Sequence, residues 1–294
     1  MADAASVLPD VVVHARDLAD YLSTYRSQQG MSTAAHQKLK EIADLLRIDI
    51  TRRPTYDFGR RTIAQSNTQK REETASEEGQ IILDVDMMPV FVDLYKELFK
   101  VAQDMDAGAE RIEVMRFIEK SLELFPAIRQ PLILKRLLYL ITNQIFKLDG
   151  EAQIIAWIVD QWKSHLALPE YQEELGAAWS LLMPVRYSEI VEATAFYVSL
   201  LCLARFQAIQ KIRKPLMGVV QAEWLEPIRR QIRDYAELEK MRKKKNEETP
   251  GAAMTPSDMR SMLAVDYDQT NMALIAYNLD ITEAAISEFL KSNE

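Results

Sequence analysis

The sequence predicts an all-α fold. Apolar residues recur every three or four positions through most of the chain, whereas the strict alternation typical of a half-buried strand is rare. Glycine and proline are scarce, since the chain of 294 residues has 8 glycines and 11 prolines. Their combined share is well below the roughly 12% that these two residues make up in average proteins. Because hairpins and phosphate-binding loops consume glycine, a β-sandwich or a Rossmann sheet is disfavoured. We expect an irregular or HEAT-like multi-helix main domain, followed by a small C-terminal three-helix module.

Two amphipathic helices are predicted at the N-terminal end. The first follows the apolar stripe from Val11 to Leu22, and the second follows the stripe from Leu39 to Leu46, after a capping signal at Ser32. The pattern then fails over residues of about 51–80, which are mostly basic or polar. Such a segment cannot bury enough apolar surface to offset its ordering entropy, so a mobile loop is expected there.

Six further helices are predicted between this loop and residue 212. They cover residues of about 89–101, 112–124, 131–146, 154–162, 171–183 and 190–212. Two segments, Leu132–Phe146 and Ala193–Ala208, are apolar over most of the helix circumference. Helices of this kind are buried from several sides, so both are expected in central positions.

One long helix, from about Met217 to Lys244, is predicted after Pro215, with an apolar stripe that runs to Met241. We expect this stripe to bind a helix or strand of a partner protein. Its candidate contact residues are Trp224, Ile228, Ile232, Tyr235 and Leu238. Residues 247–254 are predicted to be a linker, which separates a main domain of residues 1–246 from a C-terminal module of residues 255–294.

The C-terminal module has its own apolar pattern, which fits three short helices. Val265-Asp266-Tyr267, followed by Asp280 to Leu290, resembles a ubiquitin-associated domain. The resemblance implies a small helical module that binds ubiquitin through an apolar patch, here formed by Val265, Tyr267, Phe289 and Leu290. The alternative is that these residues only pack the module or dock it on the main domain.

Charge is unevenly distributed along the chain, although the formal net charge is −8. Residues 37–71 carry nine Lys and Arg against four Asp and Glu, residues 72–110 carry two against eleven, and residues 211–245 carry eleven against five. Arginine pairs beside aromatic rings suit phosphate contacts and base stacking. The alternative function is therefore a nucleocapsid-like protein that binds nucleic acid through the loop 52–61 and the helix 229–245. Its candidate contacts are Arg52, Arg53, Tyr56, Arg60, Arg61, Lys243, Lys244 and Lys245.

Motifs for catalysis are missing from the sequence. The three histidines and the single cysteine, Cys202, lie far apart, so they offer no zinc-binding spacing. All eight glycines are isolated, which excludes a glycine-rich phosphate loop, and no G-x-S-x-G elbow occurs. The sequence therefore predicts no catalytic residue, no metal and no cofactor, and a protein that is not an enzyme. The third alternative is an enzyme with a carboxylate-only site, which would need a concave pocket with perturbed acids.

These observations together predict a helical adaptor or scaffold that binds other proteins. It could also be one component of a larger protein assembly. The N-terminus lacks the basic start of a secretory signal, and no apolar run reaches the roughly 20 residues of a membrane span. We therefore expect no membrane span and a cytoplasmic location, with the nucleus as the alternative.

Overall fold

The computed structural model describes residues 4–24, 31–51, 81–105, 108–143, 151–187, 190–247 and 256–292. These residues are mostly helical and contain no strand, so the predicted all-α class is confirmed. The chain divides into two compact units, residues 1–133 and residues 134–294. The predicted loop 51–80 lies outside the described residues except for Thr51. The predicted linker 247–254 lies outside them except for Glu247.

The described residues of the first unit form four α-helices and one short 3-10 helix, Val85–Met87. The α-helices are α1 (Ala4–Thr24), α2 (Thr33–Leu45), α3 (Met88–Asp104) and α4 (Ala109–Glu123). The predicted cap is present, because the Ser32 hydroxyl accepts a hydrogen bond from the Ala35 amide at 3.2 Å. Helix α1 packs against α2 and α3, and α3 packs against α4. His36 and Glu113 join α2 to α4, with 2.7 Å between Nε2 and Oε2.

The second unit is organised around one central helix. Helix α5 (Gln130–Thr142) spans the division, and the helices after it are α6 (Glu151–Ser164), α7 (Pro169–Leu182), α8 (Thr194–Ile209), α9 (Lys214–Val220), α10 (Glu226–Glu247) and α11 (Pro256–Lys291). Helix α8 packs against α6, α9 and α11. Phe196, Leu200 and Leu201 on α8 are fully buried. This confirms the central position predicted for Ala193–Ala208.

The prediction of three short C-terminal helices is wrong, because Pro256–Lys291 forms one continuous helix. A row of its buried residues recurs in steps of three and four, the spacing of one uninterrupted helical seam. The row consists of Ile275, Leu279, Thr282, Ile286 and Phe289, and Met272 and Asn278 are buried beside it. This seam packs along α8 in the same compact unit, and the Thr282 hydroxyl donates to the Leu201 carbonyl at 3.1 Å. Breaking the helix would interrupt the apolar contact along α8.

Candidate protein-binding surface

Helices α9 and α10 are joined by a π-helical turn, Gln221–Leu225, which anchors them in the second unit. Trp224, in this turn, is fully buried. Its ring lies 5.8 Å from that of Trp179 in an edge-on contact and 6.4 Å from that of Tyr197 in a stacked one. Ile228, one turn further on, is also fully buried. The start of α10 is thus held firmly by core packing.

A cluster of charges ties α10 to α11. Arg229 donates from Nε to Glu283 at 3.0 Å and from Nη2 to the other oxygen of the same carboxylate. Its Nη2 also lies 3.5 Å from the Asp280 carboxylate. A second polar contact joins Gln221 Nε2 to the Ser287 hydroxyl at 3.4 Å. The two helices are therefore fixed to each other at this point.

Replacing Arg229 with methionine is expected to lower the free energy of unfolding by about 1 kcal/mol. The bidentate geometry favours the pair, but both side chains are partly exposed and screened by solvent. Chemical denaturation at low ionic strength measures the loss. The matched control is Arg233→Met, since Arg233 pairs with Glu226 on an exposed face of α10. Equal stability of the two variants would contradict a special role for the Arg229 cluster.

The structure divides the predicted stripe on α10 into a buried and an exposed part. Trp224 and Ile228 belong to the core, so they are not available as a partner-binding surface. This corrects the prediction, which could not distinguish an apolar residue that packs inward from one that faces a partner. Ile232 is half-buried. The stripe therefore reaches the surface only beyond this residue.

Residues 233–241 form what we name the outer segment of α10. Tyr235 is half-buried, Leu238 is 62% exposed and Met241 is 67% exposed. The sequence prediction placed Met241 on the stripe but did not include it among the contact residues. Its spacing of three from Leu238 was the available signal.

The predicted ubiquitin-binding residues do not form one patch. Tyr267 is 68% exposed, whereas Phe289 is buried and its ring contacts the Lys214 ammonium group at 5.8 Å. On one helix the two residues are about 33 Å apart. Leu290 is half-buried, and the side chain of Val265 lies outside the described residues.

An exposed apolar face of α11 was missed by the sequence analysis. Leu274 is 45% exposed and Tyr277 is 63% exposed, and both lie on the same side of the helix as Tyr267. We name Tyr267, Leu274 and Tyr277 the outer face of α11. The spacing of Tyr267, Leu274 and Tyr277 along the chain indicates one helix face. The prediction of three short helices placed these residues on different helices, so the shared face was not recognised.

The candidate nucleic-acid contacts are not located by the structure. Arg52, Arg53, Tyr56, Arg60 and Arg61 lie outside the described residues. Lys243, Lys244 and Lys245 are on the described backbone of α10, but their side chains are not described. Nucleic-acid binding therefore stays a prediction.

Glu151, in the second unit, has a perturbed pKa. Burial raises the pKa of Glu151, and the nearby Tyr187 hydroxyl opposes part of this rise. A surface cavity of about 390 Å³, with Lys40 and Arg47 in its lining, borders α2 in the first unit. Among the described residues, no group of three or more His, Cys, Asp or Glu side chains is placed to hold a metal ion.

Comparisons with protein-family models, curated proteins and solved structures each found no match to this chain. The resemblance to a ubiquitin-associated domain is thus neither supported nor refuted by relatives. Within the described ranges, no helix combines the length and the apolar character needed to cross a bilayer.

Proposed function

We propose that this protein is a non-catalytic helical scaffold that binds other proteins through the outer segment of α10. The observation that carries the proposal is the exposure of Leu238 and Met241 on the continuation of a stripe whose first residues are buried. Isolated exposed apolar side chains are common on protein surfaces. A row at helical spacing is instead typical of a helix that docks in the groove of a partner.

Charge supports the same proposal. Residues 238–245 contain five Lys and Arg and one Glu, so a basic run follows the apolar pair, whereas Asp234 and Glu237 precede it. An apolar centre with a charged rim is the usual anatomy of a protein interface. The partner expected for this segment is an apolar helical surface with acidic neighbours.

Replacing Leu238 with glutamate is expected to reduce partner capture by about tenfold or more, because a charge is placed in the centre of the contact. The measurement is quantitative co-purification from the native host. The matched control is Ala236→Glu, which adds the same charge on the opposite side of the same exposed helix.

Polypeptides that bind the wild type and Ala236→Glu but not Leu238→Glu support the proposal. Equal capture by both variants contradicts it. The nucleic-acid alternative predicts a different result, namely retention of RNA that falls steeply as salt rises and depends on Arg52, Arg53, Arg60 and Arg61. Apolar docking is much less sensitive to salt.

A further inference from the structure

We draw no further inference here: the strongest candidate, the exposed apolar face that Tyr267, Leu274 and Tyr277 form on α11, carries none, because nothing in the described part of the structure shows what covers it.

Discussion

Replacing Trp224 with alanine is expected to destabilise the second unit by about 3–5 kcal/mol, the usual cost of truncating a large buried aromatic residue. Trp224 is fully buried in the π-helical turn, and its ring contacts those of Trp179 and Tyr197. The substitution leaves a cavity at the point where α10 is anchored. In thermal unfolding followed by circular dichroism, the Tm should fall by on the order of 10 °C.

Two companion variants test the physical reason. Leu238→Ala lies on the same predicted stripe but in its exposed part, so its stability should stay within about 0.5 kcal/mol of the wild type. Trp224→Phe should cost less than Trp224→Ala, because it keeps much of the ring volume. Among the described residues, the indole N–H of Trp224 finds no hydrogen-bond partner, so phenylalanine gives up no such bond there. Equal losses for Trp224→Ala and Leu238→Ala would contradict the division of the stripe.

Replacing Ile286 with aspartate is expected to cost about 3–5 kcal/mol or to prevent folding of the second unit. Ile286 is fully buried in the seam between α11 and α8, where an unpaired carboxylate loses its hydration without gaining a partner. The matched control is Leu274→Asp, which introduces the same group on the outer face of α11. That variant should unfold close to the wild type, because its carboxylate stays in water.

The cost of Ile286→Asp should depend on pH. Burial raises the pKa of the introduced carboxyl in the folded state above its unfolded value of about 3.9. The part of the penalty that comes from the buried charge is therefore complete above the folded-state pKa and disappears as pH falls below the unfolded-state value, whereas the loss of the buried isoleucine side chain remains at every pH. Denaturation curves at several pH values should show the difference in stability between the two aspartate variants narrowing in acid. If Ile286→Asp proves unfolded, Ile286→Val should still lose about 0.5–1.5 kcal/mol, and a neutral result would show that the seam is loosely packed.

Much of the helical structure could be predicted because its causes are local. The Ser32 cap, the apolar spacing of α1 and α2, and the apolar circumference of Ala193–Ala208 each depend on residues close together in sequence. Their predicted structures agree with the described helices. The π-helical turn at Gln221–Leu225 was not predicted, since its central residue, Trp224, lies against aromatic residues distant in sequence.

The C-terminal helix shows why a local pattern was insufficient. Its apolar residues fit several short helices as well as one long helix, and the choice depends on what covers them. Contact with α8 favours the continuous form, because that contact requires Ile275, Ile286 and the residues between them to share one face. Without that contact, the apolar pattern predicted three short helices instead.

The sequence by itself determined the all-α class, the position of most helices, the central burial of α8 and the segregation of charge. Tertiary structure alone decided which apolar residues became a surface. Trp224 and Leu238 share one predicted stripe, yet the first is enclosed by Trp179 and Tyr197 and the second is exposed. Periodicity specifies which side of a helix an apolar residue occupies, but exposure depends on whether residues far away in the sequence pack against that side.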